Sequence, residues 1–222
     1  MATREWHYHH RSFAGGAGYR ICLRLYRAAR HAAVSASPVA HANAVSPAHT
    51  DRGQELDAAA RAARAMGLPT LVLSGGLAGD TTEAARGFAN VAAQVRRRGQ
   101  PLHPPCCLLA GDETTVVRRS NAGDDRSERS AEFALAAALV LDGAEEIVVA
   151  SLATGGDERT QTVGAVATTY TLAHARAMGL DAADYLRRND ARAFFAHVGG
   201  LVRLHSTDTD TNANALMIAL IA

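Results

Sequence analysis

Residues 133–141 read FALAAALVL, nine apolar side chains in succession. A helix that is apolar on every side has no face to give to water, so it must be buried among other elements. It is also far short of the ~20 residues that cross a bilayer. What buries it lies close by in sequence. CCLLA at 106–110 and EIVVASL at 146–152 are short apolar runs that suit fully covered strands. Strand, buried helix and strand in that order predict a sheet with helices packed against it.

The same alternation extends along the chain. An Ala-rich helix over 54–66 stops at Gly67, and PTLVLS at 69–74 reads as a short buried strand. A second helix over 80–98 has Asp80 or Thr81 placed to cap it. A further strand is expected over 114–118, helices near 171–178, 182–187 and 191–198, and closing strands at 200–204 and 216–221. The expected fold is α/β, with a mainly parallel or mixed sheet sandwiched by helices, Rossmann-like. Residues 1–50 break this pattern, being rich in His, Ala, Ser and Pro, with helical character only over 19–33. The division this gives is an irregular N-terminal arm or remnant at 1–50 and one α/β domain at 51–222. Residues 1–42 are expected to be poorly ordered and to add little to stability.

Composition removes several functional classes. With 23 basic against 22 acidic residues and a formal net charge of +1, nothing favours nucleic acid or a membrane surface as partner. All 23 basic residues are arginine. A chain without lysine has neither the P-loop lysine that reaches nucleotide phosphates nor a lysine for Schiff-base chemistry. Any anion must be held by arginine, by backbone N–H groups or by helix N-termini. Cys22, Cys106 and Cys107 make no disulfide framework. Cys106 and Cys107 point to opposite faces of a strand, so they are not a chelating pair. A reducing cytoplasm is the expected location, and the N-terminus has no signal-peptide apolar stretch.

Several polar stretches are candidate sites. HYHH at 7–10 could bind a metal, but with no Cys beside it a solvated cluster is the plainer reading. SGGLAG at 74–79 sits between a strand and a helix, as a dinucleotide-binding turn would, yet its first glycine position is Ser74 and no acid stands about 20 residues on to hold a ribose. In the loop 120–129, Arg126 and Arg129 could meet a phosphate near the buried helix's N-terminus, or the loop is a solvated turn. Asp157 and Glu158 in the loop 154–162 could hold Mg²⁺ with phosphate oxygens, or form a polar surface turn. The alternating Asp208, Asp210, Asn212 and Asn214 lack the glycine and closing Glu of a Ca²⁺ loop.

Taken in order, these stretches resemble one family. DRGQELDAAARAARAMGLPTLVLS at 51–74, Gly79 with Glu83, PPCCLLAGDETTVV at 104–117, Arg129 with EFALAAALVLDG, and VGAVATTYTLAHARAMGLDAADYLRRND at 163–190 carry the resemblance. Phe194-Phe195 and Thr211-Asn212-Ala213-Asn214 complete it. The chain, from about residue 43 onward, is similar to the C-terminal part of the two-domain glycerate 2-kinases, with their MOFRL domain, a family that also bears the name hydroxypyruvate reductase. The resemblance implies ATP-dependent phosphorylation of D-glycerate to 2-phosphoglycerate, with ATP and Mg²⁺ in a cleft between two domains. It implies Arg129 and Asp157 as catalytic residues. Gly111, Glu113, Thr114, Glu132, Asn212 and Asn214 would hold substrate or phosphate, and Asp157 and Glu113 the metal. The partners would be glycerate and nucleotide, with no nucleic acid and no membrane. A homo-oligomer is compatible with the sequence.

The departures from the family are systematic. Where the resemblance leads one to expect glycine, Asp112, Glu128, Glu158 and Asp210 bring carboxylates. A carboxylate beside a polyphosphate repels it by about 1 kcal/mol per pair at 4 Å in water, and more in a cleft. The family's larger N-terminal domain, with its catalytic lysine, has no counterpart in this sequence. The expected protein is thus a truncated and impaired glycerate 2-kinase, or else a non-catalytic structural or interaction relative that keeps the scaffold.

Overall fold

The central strands send alternate side chains to the two faces of one sheet, and helices cover both. The computed structural model describes residues 16–36, 52–115, 126–154, 162–203 and 215–222. Along these the helices are α1 (Ala17–Ala36), α2 (Arg52–Ala65), α3 (Thr81–Arg98), α4 (Arg126–Val140), α5 (Thr171–Ala177), α6 (Ala182–Arg187) and α7 (Ala191–Val198). The strands are β1 (Thr70–Asp80), β2 (Cys106–Thr115), β3 (Ile147–Ala153), β4 (Thr162–Ala167), β5 (Leu201–Arg203) and β6 (Ala215–Ile221). They form a single six-stranded sheet in the order β1-β2-β6-β3-β4-β5.

Only β1 and β2 pair in parallel; the other four pairings are antiparallel. The α/β expectation therefore holds in its mixed form rather than its mainly parallel one. The reason is β6, which enters antiparallel between β2 and β3. Its seven residues are all buried. Cys107 and Leu109, Val148, Ala150 and Leu152, and Leu216, Ile218 and Leu220 face α1 and α2. Cys106, Leu108 and Ala110, Ile147 and Val149, and Met217, Ala219 and Ile221 face α3 and α4. The two adjacent cysteines thus lie on opposite faces, as strand geometry requires.

α3 is set by its ends. The Asp80 carboxylate accepts from the Glu83 N–H at 3.0 Å, and Gly99 closes the helix in the left-handed region at φ 63°. Arg96, Arg97 and Arg98 in the last turn suit the helix dipole. α4 is buried throughout 130–138, as its composition demands. It sits unusually close to β4 because residue 164 is glycine. A Cβ there would collide with the Ser151 carbonyl oxygen and lie 2.8 Å from the Ser130 Cβ.

Several expected boundaries move. SGGLAG is the second half of β1, with register irregularities between Val72 and Leu77, and is not a turn between strand and helix. Thr114 and Thr115 finish β2 rather than start another strand, and 116–118 lies outside the described residues. α4 begins at Arg126, so Arg126 and Arg129 stand in its first turn and not in a loop. β4 went unforeseen; its Gly and Ala content gives little strand signal.

The largest correction concerns the N-terminal segment. α1 is twenty residues long, and Cys22, Leu25, Tyr26 and Ala29 are wholly buried against the sheet. The Tyr26 hydroxyl donates to the Ala153 carbonyl at 3.0 Å. Residues 17–32 are therefore part of the core and not a poorly packed arm. The rest of 1–50, including the 7–10 histidines, lies outside the described residues. No helix among the described residues is long and apolar enough to cross a membrane.

Candidate functional site

One end of the sheet gathers the residues that flank the polar stretches. β1, β2, β3 and β5 run in one direction and β4 and β6 in the other. The carboxyl termini of the first group and the amino termini of the second therefore share that end. The register is close: Gly79 pairs with Thr114, Asp112 and Ala153 both pair with Ala215, and Thr162 pairs with Arg203. α3 begins directly after β1, so its N-terminus lies at this end too. Ligands of open α/β sheets bind outside the carboxyl ends of the strands.

Of the residues expected in the site, Gly111, Thr114, Arg129 and Glu132 are described with their side chains. Glu113 is placed by its backbone, paired with Ala78 in β2, and its side chain lies outside the description. Asp157, Asn212 and Asn214 lie outside the described residues, as do Glu158, Asp208 and Asp210. The flanks of those segments, Thr154 with Thr162 and Arg203 with Ala215, are at the end just described.

Two hydrogen-bonded groups meet at the first turn of α3. In one, Thr81 donates to the Thr114 hydroxyl at 2.9 Å, and the Arg129 guanidinium donates to the Thr114 carbonyl at 3.1 Å. Thr81 and Thr114 are buried, and Arg129 is half-buried. That is the one hydrogen bond of the Arg129 side chain among the described residues. The guanidinium has five N–H groups, and its other donors make no hydrogen bond to the described residues. In the second group, Thr82 donates to one Glu132 oxygen at 3.3 Å and the Asn189 amide to the other at 2.9 Å. Glu132 lines a groove of about 470 Å³ with Asp80, Arg86, Arg187 and Asn189.

Gly111 has a packing reason of its own. A side chain there would collide with the Gly75 carbonyl oxygen of β1. The Gly111 conformation thus serves the close approach of β1 and β2, whatever else this end binds.

Glu128 corrects a sequence inference. Its carboxylate accepts from the Arg192 backbone N–H at 3.1 Å, and the Arg192 guanidinium lies 3.8 Å from its other oxygen. Asp190 precedes α7 without a side-chain cap, so Glu128 on α4 supplies the anion at that helix N-terminus. Burial raises the Glu128 carboxyl above its ordinary range, and the N–H and guanidinium of Arg192 oppose the rise. This carboxylate faces α7, so it is not an added charge aimed at a phosphate.

The thiols are not nucleophiles. Burial pushes Cys22 up to about 12 and Cys106 to about 11, and raises Cys107 well above its usual value. Among the described residues no group of three or more His, Cys, Asp or Glu is arranged to hold a metal ion. Sequence reasoning missed Thr81, Thr82 and Asn189. The adjacent threonines after a capping Asp were a usable signal; Asn189, in a turn between short helices, gave none.

Residues 106–214 match the model of the MOFRL family. A putative hydroxypyruvate reductase of Agrobacterium vitis is 35% identical over 158 residues, covering 71% of this chain and 41% of that protein. A D-glycerate 2-kinase of Thermotoga maritima is 32% identical over 166 residues, 74% of this chain and 39% of the kinase. The crystal structure of a glycerate kinase from Thermotoga maritima superposes with a TM-score of 0.69 at 31% identity, covering 76% of this chain and 40% of that one. The chain thus spans about two fifths of the length of these relatives.

Proposed function

We propose that this chain, which belongs to the MOFRL family through residues 106–214, binds nucleotide and glycerate at the carboxyl end of its sheet. The reaction is phosphoryl transfer from ATP to D-glycerate, and turnover in this copy is low. The observation that carries the reading is Arg129, anchored by one hydrogen bond to the end of β2 with its other donors unengaged among the described residues. A guanidinium so placed suits phosphoryl oxygens, and phosphoryl transfer relies on positioning and charge stabilisation. The names of the Thermotoga maritima relatives, D-glycerate 2-kinase and glycerate kinase, support the substrate.

In this reading residues 51–222 form the catalytic-family domain, and α1 is a helix added to it. Asp157 and Glu113 would hold Mg²⁺, a hard cation that carboxylate oxygens suit. When bound, Mg²⁺ offsets the charge of the polyphosphate. Asn212 and Asn214 hydrogen-bond substrate oxygens, while Gly111 and Thr114 shape the strand end on which the substrate rests. The three free, buried cysteines suit a reducing cytoplasm.

Low turnover rests on Asp112, Glu158 and Asp210, carboxylates where the resemblance leads one to expect glycine. Glu128 is no longer among the obstacles. The same three carboxylates favour a second reading, a scaffold that retains structure without catalysis.

The test is release of ADP with D-glycerate, ATP and Mg²⁺, alongside thermal unfolding with each ligand. ATP and glycerate should raise Tm, because a ligand at 100 Kd stabilises the native state by about 2.7 kcal/mol. Turnover should fall well below the roughly 1–100 s⁻¹ of kinases. Glycine at 112, 158 and 210 together should tighten nucleotide binding. A full kinase rate would overturn the low-turnover reading, and no response to either ligand would overturn the site.

A further inference from the structure

Glu132 is 2% exposed, and a carboxylate so buried must be matched by donors. Thr82 and Asn189 supply them, one to each oxygen. Asn189 does so from the left-handed position, φ 55°, that ends α6, where its N–H reaches the Leu186 carbonyl and the Asp190 N–H the Tyr185 carbonyl. The two donors come from different sides of α4: Thr82 from the first turn of α3, and Asn189 from the turn between α6 and α7. Together they fix how α4 is turned about its own axis.

Arg129 lies three residues before Glu132, on a neighbouring position of the same helical surface. A slip of α4 by one residue is a turn of about 100° and would carry Arg129 away from Thr114. We infer that Glu132 is a positioning residue. Its carboxylate, clasped by Thr82 and Asn189, sets the rotation of α4 that presents the Arg129 guanidinium at the end of β2, and it does not itself contact the ligand. This rests on the reading of Arg129 as a phosphate-binding group, and it departs from the substrate-binding role that the family resemblance implies for Glu132.

The clasp can be rebuilt with reversed polarity. In Glu132→Gln the charge is lost and one acceptor becomes an amide donor, which can be met only if Asn189 turns its own oxygen inward or Thr82 turns to accept. Asn189→Asp alone sets carboxylate against carboxylate. In the double variant, Glu132→Gln with Asn189→Asp, the introduced amide donates to the introduced carboxylate, while Thr82 still has an oxygen to which it can donate. The experiment uses the full 222-residue chain with two readouts. Calorimetry measures affinity for Mg·ATP. NMR follows the Arg129 Nε–Hε resonance, assigned by its loss in Arg129→Lys.

Each single variant should weaken Mg·ATP binding by about 10–100-fold, the scale on which supporting groups act on a site. Each should also shift the Arg129 resonance. The double variant should return both toward wild type. Asn189→Gly suits the positive φ and removes one donor, so it keeps the fold and should move both readouts in the same direction. A double variant that binds as weakly as Glu132→Gln, with Arg129 back at its wild-type resonance, would show that the Glu132 carboxylate touches the ligand. An Arg129 resonance unmoved by Glu132→Gln and Asn189→Gly would overturn the clasp. Wild-type protein that binds no Mg·ATP defeats the nucleotide reading alone, because the resonance still decides the clasp.

Discussion

α4 and α1 lie on opposite faces of one sheet and are buried by different means. α4 is buried at every position from 130 to 138, two whole turns without a solvent face. α1 offers a single stripe, Cys22, Leu25, Tyr26 and Ala29, spaced i, i+3, i+4 and i+7, while Arg20, Arg24, Arg27 and His31 face water. Each helix is buried in the core on its own face of the sheet. Composition suffices to find the first, but only spacing finds the second, since its arginines cancel its apolar side chains in any average. A narrow stripe is enough when the opposing surface is a sheet of Val, Ile and Leu.

The sharpest test of that equivalence is a buried charge in each helix. Leu135 and Leu25 are both fully buried. Leu135→Asp should abolish cooperative thermal unfolding, because an unpaired carboxylate in a core costs more than about 4 kcal/mol. Leu25→Asp should do the same. If it instead melts within a few degrees of wild type, α1 is a detachable cover and the comparison breaks.

Truncation grades the same contrast more finely. Leu25→Ala should cost about 2–5 kcal/mol, read from the urea midpoint at unchanged slope. A loss below about 1 kcal/mol would mark α1 as loosely held. Tyr26→Phe removes only the hydroxyl that reaches the Ala153 carbonyl, and should cost about 1 kcal/mol.

On the α4 side, the smallest effect belongs to Glu128. Its folded carboxyl is raised above the ordinary 4.5, mainly by burial. A raised acid contributes stability below its unfolded value and loses it as pH rises through the folded value. Unfolding of wild type and Glu128→Gln should therefore diverge across that rise, with wild type losing relative stability toward neutral pH. A constant difference from acid to neutral pH would show that Glu128 does not titrate against α7.

Much of the fold was legible in the sequence, for physical reasons. The runs at 106–110, 146–152 and 216–221 had to be covered strands, and 182–187 and 191–198 are helices where expected. Strand neighbours were not legible. Nothing local to β6 says that it pairs with β2 and β3, because that choice is made across the sheet. β1 was read short because Gly75, Gly76 and Gly79 signal turns unless a parallel neighbour pairs with them. The site was legible in residue types and less so in roles. Arg129 could be singled out, but the partners of Glu128 and Glu132 come from α7 and the turn at Asn189, some 60 residues on. A carboxylate's direction is set by such distant partners, so Glu128 looked like an obstacle to phosphate when it is a cap for α7.

The place of β6 has a consequence for how the molecule is made. Without it, the described sheet falls into β1-β2 and β3-β4-β5, which share no strand pairing. The halves wait for a strand that begins 100 residues after β2 ends at residue 115, at residue 215. At ribosomal rates that interval is roughly 5–20 s. During it, the flanks of β2 and β3 that β6 will cover present unpaired backbone and apolar side chains. Newly made protein should therefore depend on chaperones far more than its finished, fully covered sheet suggests.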